Sequence, residues 1–157
     1  MKIVVLLMGK TTQMPVTELM NDYESRIKHY MPCDVVIIPE LKNTKNLSEN
    51  IQKEREGELI LKNIDKGDEV ILLDEKGKEF SSVDFAAFME KRNSTGVKRM
   101  IFVVGGPYGF SKDVYERADG KMSLSKMTFP HQLVRAIFLE QLYRAMTIIK
   151  GEPYHHQ

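Results

Sequence analysis

Three glycines lie within five residues of the chain, where the backbone could approach a ligand closely. Gly105, Gly106 and Gly109 follow the apolar stretch that ends at Val104, and Pro107 stiffens the loop between them. Because glycine has no Cβ, such a loop lets the backbone itself contact a bound molecule. The spacing is not the G-x-G-x-x-G pattern of dinucleotide-binding proteins. The loop therefore indicates a ligand site, with a tight connection that binds nothing as the alternative.

Two further segments have side chains suited to ligand binding. Residues 123–131 read Ser-Leu-Ser-Lys-Met-Thr-Phe-Pro-His. Hydroxyls and backbone N–H groups there can hold polar groups, and the apolar side chains can enclose an adenine. Asp74 follows another apolar stretch, which ends at Leu73. Its carboxylate could bind a ribose or an amine, or it could be a solvated acid in a turn.

Two other motifs are incomplete. Gly9-Lys10-Thr11 looks like the end of a phosphate-binding loop, but that motif needs a glycine five residues earlier, where this chain has Val4. The adjacent His155-His156 suggest a metal, but a tetrahedral site needs more ligands, and His29 and Cys33 lie far away in the sequence. We expect neither a nucleoside-triphosphate site nor a metal site.

Strand and helix patterns alternate along the whole chain. Predicted strands cover 2–8, 33–38, 70–73, 100–104 and 121–124, and predicted helices cover 16–30, 48–64, 81–92, 112–118 and 130–149. This alternation predicts one α/β domain over residues 1–157, with a parallel sheet and helices on both faces. Ligands bind beyond the carboxyl ends of strands in such sheets, and the candidate segments above all follow predicted strands.

The last predicted helix is apolar around most of its circumference, whereas a surface helix carries one apolar stripe. Its apolar residues are Leu133, Val134, Ala136, Ile137, Phe138, Leu139, Leu142, Tyr143, Met146, Ile148 and Ile149. Such a helix must be buried on two sides, one of which is the sheet. We expect a partner subunit on the other side, with a helix wrapped by its own chain as the alternative.

The amino-acid composition limits the cellular compartments and partners that we expect for this protein. The longest apolar run is far too short for a membrane span, which needs about 20 residues. Cys33 is the only cysteine, which excludes an internal disulfide and fits a reducing cytoplasm. The net charge of +1 is small for a protein that binds naked nucleic acid alone. We therefore expect a cytoplasmic protein with no membrane partner.

Taken together, the motifs closely resemble one family of SPOUT methyltransferases, the methyltransferases H of the large-subunit ribosomal RNA. Each motif is weak alone, but the set in this order is specific and spans essentially the whole chain. The motifs are Leu72-Leu73-Asp74-x-x-Gly77, Gly105-Gly106-Pro107-Tyr108-Gly109, Ser123-Leu124-Ser125-Lys126-Met127-Thr128, His131-x-x-x-Arg135, Glu140-Gln141-Leu142-Tyr143-Arg144-Ala145 and Pro153-Tyr154-His155-His156.

The resemblance implies an α/β fold with a C-terminal trefoil knot, which nothing in the periodicity indicates. It also implies a homodimer, in agreement with the apolar last helix. The implied reaction transfers a methyl group from S-adenosyl-L-methionine to N3 of pseudouridine 1915, in helix 69 of 23S ribosomal RNA. The family's substrate is the assembled ribosome, so surface shape can replace bulk positive charge. No metal is required.

The resemblance also assigns roles to particular residues. It places Leu73, Gly105 and the segment Leu124, Ser125, Lys126, Met127, Thr128 and Phe129 against the cofactor. Tyr154 and His155 are implied on the substrate side. N3 of a uracil ring is a weak acid, so a base or a cation must help its proton to leave. Arg135 and His155 are the candidates, and the sequence does not choose between them.

Two other interpretations of the sequence compete with the methyltransferase. A flavodoxin-like nucleotide-binding domain needs a hydroxyl-rich loop after the first strand, and Thr11-Thr12 match it poorly. A non-catalytic ribosome-binding factor would differ by having no affinity for the cofactor. An RNA-facing patch could gather cations that are separate in the sequence: Lys10, Arg26, Lys28, Lys121, Lys126, Arg135 and Arg144.

Overall fold

Five strands form one sheet in which every hydrogen-bonded pair runs parallel. The computed structural model describes residues 1–156. The strands are β1 (Lys2–Met8), β2 (Cys33–Ile38), β3 (Glu69–Glu79), β4 (Arg99–Val104) and β5 (Gly120–Ser123), in the order β2-β1-β4-β3-β5. The helices are α1 (Met14–Ile27), α2 (Glu49–Leu61), α3 (Ser82–Ser94), α4 (Lys112–Arg117) and α5 (Leu133–Ile149), with a short 3-10 helix at Thr44–Asn46. Within the described residues, no helix combines the length and apolar character needed to cross a membrane.

The sheet separates two apolar cores, because alternate side chains of a strand point to opposite faces. Ile3, Val5 and Leu7 of β1 lie in the larger core, which α1, α3 and α5 cover. The intervening β1 residues lie in the smaller core, together with Ile60 of α2 and Val114 of α4. The predicted parallel α/β sheet with helices on both faces is confirmed.

Strand β3 is longer than its sequence pattern predicts. The expectation that it ends at Leu73 was wrong, since the strand continues through Glu79. Its pairing with β5 is interrupted by a bulge, because Leu73 and Lys78 both pair with Met122. A Cβ on Gly77 would lie 2.5 Å from the backbone nitrogen of Met122. Glycine at this position therefore lets the two strands approach closely beside the bulge.

Helix α5 lies at the centre of one face and packs against both α1 and α3. Phe138, Leu139 and Leu142 are fully buried within the single chain. Much of the apolar circumference is therefore covered by the chain itself. Leu133 and Ile137, one turn apart, retain solvent exposure. These two residues offer one apolar surface to a partner, and the homodimer stays a prediction.

Candidate active site

A cavity of about 760 Å³ opens at the carboxyl ends of β4 and β5, beside the bulge in β3. This volume is within the usual range for small-molecule sites. The residues predicted to bind the cofactor all line it: Leu73, Gly105, Leu124, Ser125, Lys126, Met127, Thr128 and Phe129. Segments separated by dozens of residues in the sequence thus meet at one place, because parallel strands end at one edge.

Buried side chains pack closely against the glycine loop that follows β4. A Cβ on Gly105 would lie 2.7 Å from the ring of Phe110, which is itself buried. A Cβ on Gly106 would lie 2.8 Å from Oε1 of Glu56. Gly109 has a φ of +83°, which side-chain-bearing residues rarely adopt. Glycine is therefore required here for the packing of the loop, in addition to any approach of a ligand.

The second loop, 123–131, is held by its own hydroxyl groups. The Ser123 hydroxyl donates to the Ser125 carbonyl at 2.9 Å, and the Ser125 hydroxyl accepts from the Met127 backbone N–H at 2.9 Å. Leu124 is half-buried and packs on the larger core, so it forms an apolar wall. At the end of the loop, desolvation and the nearby Arg135 lower the pKa of His131. A neutral imidazole is therefore favoured at this side of the cavity.

Sequence analysis missed the contact between Tyr115 and Asp74. The Tyr115 hydroxyl donates to Oδ2 of Asp74, and both residues line the cavity. Burial and this hydrogen bond raise the pKa of Tyr115 to about 12, so the phenol stays protonated. Oδ1 of Asp74 accepts from the Lys76 backbone N–H at 2.8 Å. The Asp74 carboxylate is thus fixed at the cavity wall by residues that no local sequence pattern connects.

Arg135 lies beside the cavity but is directed away from it. Its side chain is 1% exposed, and its guanidinium donates to the carbonyls of Met8 and Gly9 at 2.7 and 2.8 Å. It also donates to the Thr11 hydroxyl at 3.0 Å. Burial lowers the pKa of Arg135, while Glu40 acts in the opposite direction. Arg135 therefore forms a structural tie, a set of hydrogen bonds that links α5 to the loop after β1. These contacts do not support the catalytic role that was expected for Arg135.

Replacing this tie should destabilise the fold. Arg135→Met should lower the free energy of unfolding by about 3 kcal/mol, because two buried carbonyls lose a donor at about 1–3 kcal/mol each. Urea unfolding measures the change. Arg26→Met is the control, since that exposed arginine pairs with Asp22 at the surface and its loss should cost far less than the loss of Arg135. Equal costs for the two variants would contradict the proposed tie.

The C-terminal tail folds back onto α5 and α1. The Tyr154 hydroxyl donates to Glu140 at 2.9 Å, and its ring packs on Tyr143 at 4.7 Å between centroids. His155 Nδ1 lies 3.1 Å from Nη1 of Arg144. Before them in the chain, Glu152 accepts from the hydroxyl of Tyr30, in the turn that follows α1, at 2.6 Å.

The tail does not line the cavity of its own chain. Val134 of α5 lines the cavity, and Arg144, which contacts His155, follows ten residues later on the same helix. At about 1.5 Å per residue, this separates the two places by about 15 Å along the helix axis. The structure therefore does not bring Tyr154 and His155 together with the predicted cofactor residues within one chain.

Glu56 is a buried carboxylate beneath the glycine loop that sequence analysis did not identify. It is 6% exposed, and its Oε1 has no hydrogen-bond partner among the described residues. Burial raises the pKa of Glu56. A raised pKa in the folded state means that this group supports folding at low pH and that the support is lost as pH rises through the raised value.

Removing this charge should therefore stabilise the protein at neutral pH. Glu56→Gln should raise the free energy of unfolding at pH 7 by about 1 kcal/mol, since the amide costs less to bury. The advantage should disappear below the ordinary carboxyl range. Denaturant unfolding at pH 4 and pH 7 measures both. A variant that is less stable than the parent at pH 7 would show that the charge has a partner.

The cations considered for an RNA-facing patch differ in whether they form salt bridges. Arg26, Lys28 and Arg144 pair with acids on their own helices, and the first two lie at the C-terminal end of α1. Lys10 and Lys126 follow strands at the carboxyl edge, and neither has a salt bridge among the described residues. Across residues 1–156, no group of three His, Cys, Asp or Glu side chains is placed to hold a metal ion.

Comparison with known proteins identifies the family of this chain. A family model described as "Predicted SPOUT methyltransferase" matches residues 1–155. The chain belongs to the SPOUT methyltransferase family. Among its relatives, the proteins named Ribosomal RNA large subunit methyltransferase H from Parabacteroides distasonis and Christiangramia forsetii are each 57% identical to it, and the one from Flavobacterium johnsoniae is 54% identical. Each alignment covers 157 residues, 100% of both chains.

Proposed function

We propose that this protein uses S-adenosyl-L-methionine to methylate N3 of pseudouridine 1915, in helix 69 of 23S ribosomal RNA, on the ribosome in the cytoplasm. One observation carries the proposal. The three segments that the family motifs mark as cofactor contacts converge on one cavity of about 760 Å³. The names of the full-length relatives supply the class of RNA.

The residues of the cavity suit S-adenosylmethionine. Half-buried Leu73 and Leu124 offer apolar walls for an adenine. Gly105 also lines the cavity, where its backbone can contact the cofactor closely. The fixed carboxylate of Asp74 suits a ribose hydroxyl or an amine. The bound cofactor would supply an electrophilic methyl carbon. The protein then has to hold N3 in line with that carbon and to stabilise the negative charge left when N3 loses its proton.

We further propose a homodimer in which the tail of one subunit completes the cavity of the other. Tyr154 and His155 are about 15 Å along α5 from their own cavity. This separation supports an arrangement in which the tail that acts on the substrate comes from a second copy. Exposed Leu133 and partly buried Ile137, near the cavity end of α5, provide an apolar surface for that copy.

The trefoil knot expected of the family is part of the same proposal. After β5, at the edge of the sheet, the chain passes the ends of β3 and β4 to reach β1. There the Gln132 side chain accepts from the backbone N–H of Thr12 at 2.7 Å. Segment 124–129 and the glycine loop face the same cavity along this path. A trefoil knot requires a route of this kind, because the chain end has to pass through the loop after β4.

Blocking the cavity tests the cofactor assignment. Leu124→Arg should lower the affinity for S-adenosylmethionine at least tenfold, because a long cation would occupy the apolar wall, and methyl transfer should fall with it. Leu61→Arg is the control, since Leu61 is also half-buried but lies at the end of α2 outside the cavity. Calorimetry measures affinity, and tritiated methyl incorporation into ribosomes measures transfer.

Three results would redirect the proposal. Unchanged affinity in the Leu124 variant would place the cofactor elsewhere. Cofactor binding by the parent protein without any transfer to ribosomes would favour a different substrate. A parent protein that binds ribosomes but not the cofactor would be a non-catalytic factor.

A further inference from the structure

The tail histidine is held in a chain of hydrogen bonds that fixes which of its ring nitrogens is available. Nδ1 of His155 lies 3.1 Å from Nη1 of Arg144. Nη2 of the same guanidinium donates to Oε1 of Glu140 at 2.6 Å. That carboxylate oxygen also accepts from the Tyr154 hydroxyl at 2.9 Å, and the guanidinium lies over the Tyr154 ring, 4.9 Å from its centroid. Arg144 is thus held from three directions.

The direction of these bonds follows from the chemistry of the groups. A guanidinium has only N–H donors and no acceptor, so Nδ1 of His155 must accept from Arg144. A neutral imidazole has one N–H, and with Nδ1 as acceptor the proton is on Nε2. A second proton on Nδ1 would put two donors and two positive charges against each other. The Nε2–H has no acceptor among residues 1–156, so it is the part of the ring available to another molecule.

We propose that His155 takes part in methyl transfer as a hydrogen-bond donor through Nε2–H and not as the general base. This inference rests on the proposed function. As N3 of the uracil ring loses its proton, negative charge spreads to the carbonyl oxygens on either side of it. A donor at one of those oxygens stabilises this charge. Nδ1 cannot take the proton, because it is already bonded to Arg144, and Nε2 already carries one.

The reaction balances without a basic histidine. The N3 proton goes to solvent water, and the N3 electron pair forms the new bond to the methyl carbon. The bond between that carbon and the sulfonium sulfur breaks, and sulfur keeps its electron pair as a thioether. Arg144 and Glu140 are positioning residues in this scheme, since they act on the substrate only through His155.

Two substitutions of His155 separate a donor from a base. The side-chain amide of glutamine can place an N–H near the position of Nε2 but cannot accept a proton at the pH of the assay. His155→Gln should therefore keep the methyl-transfer kcat within about tenfold of the parent, with the same shape of pH–rate profile. His155→Ala should lower kcat about a hundredfold, in the range for loss of a donor at a developing anion. His156→Gln, at the exposed neighbouring histidine, is the control and should change nothing.

The opposite pattern would overturn the proposal. A general base would make His155→Gln as inactive as His155→Ala, and both variants would lose a rising limb of the pH–rate profile that the parent shows. Calorimetry with S-adenosylmethionine on each variant checks that the cavity is intact. A parent protein that transfers no methyl group to ribosomes would overturn the proposed function and, with it, this role of His155.

A second measurement does not depend on activity. Nuclear magnetic resonance of protein with ¹⁵N-labelled histidine shows which ring nitrogen carries a proton, and the spectrum of His155→Gln assigns the signal of His155 among the four histidines. We expect a proton on Nε2 and none on Nδ1 at pH 8. In Arg144→Gln the preference should weaken. A proton on Nδ1 in the parent protein would refute the inference even if methyl transfer is confirmed.

Discussion

Deleting residues 153–157 should abolish methyl transfer to ribosomes while cofactor affinity stays within about twofold of the full chain. Tyr154 and His155 contact Glu140, Tyr143 and Arg144, and none of these residues lines the cavity. Stacking of an aromatic side chain on an exposed base is worth about 1–3 kcal/mol, and loss of the His155 donor adds to that. We therefore expect a fall in transfer of about five hundredfold or more. The two measurements are calorimetry and tritiated methyl incorporation on the same protein.

Mixing two inactive variants tests whether the tail acts across a dimer. The truncated chain keeps an intact cavity, and Leu124→Arg keeps an intact tail. If the tail of one subunit serves the cavity of the other, half of the randomly paired dimers contain one complete site. The mixture should then recover about a quarter of the parent rate. No recovery after verified subunit exchange would mean that the tail acts within its own chain.

Ile137→Asp should convert the protein to a folded monomer that no longer methylates ribosomes. Ile137 lies on the outer side of α5 and retains solvent exposure in the single chain, so a carboxylate there disturbs a partner more than the core. An unpaired charge buried in an interface costs several kcal/mol, enough to weaken association by more than a hundredfold. Sedimentation velocity at micromolar concentration measures the mass.

Two controls define this experiment. Val83→Asp changes another exposed apolar residue, on α3, and should leave the dimer unchanged. Phe138→Asp should unfold the chain, since Phe138 is fully buried within one subunit. A parent protein that sediments as a monomer would remove the basis for the dimer.

The regular alternation of buried side chains made most of the sheet predictable. β1 and β4 are continuous apolar runs, because helices cover both faces of the sheet, and such runs predict buried strands. The same logic located the cavity, since parallel strands deliver their following loops to one edge. The length of β3 could not be predicted in this way. Its second half is polar and exposed, and its pairing depends on the close approach of Gly77 to Met122, 45 residues later.

The roles of individual polar side chains were harder to predict, because partners distant in sequence determine them. The motif that contains Arg135 suggested a catalytic role. In the structure this side chain is buried and donates hydrogen bonds to the Met8 and Gly9 carbonyls. Glu56 and Tyr115 belong to no local pattern, and although Asp74 was a candidate ligand residue, nothing in the sequence pairs it with Tyr115. Residues near a chain end are often poorly ordered, and only the folded chain shows Tyr154 and His155 packed against α5.

The contacts of Gln132 and Arg135 with the loop after β1 have a consequence for how the chain folds during synthesis. These bonds join residues more than 115 positions apart, and they satisfy the backbone of Met8, Gly9 and Thr12. The first turn of the protein therefore cannot reach its final form until the last helix has left the ribosomal exit tunnel. Contacts of such long range slow folding. We expect the nascent chain to stay protease-sensitive until α5 has emerged from the tunnel, and the chain to refold slowly from denaturant.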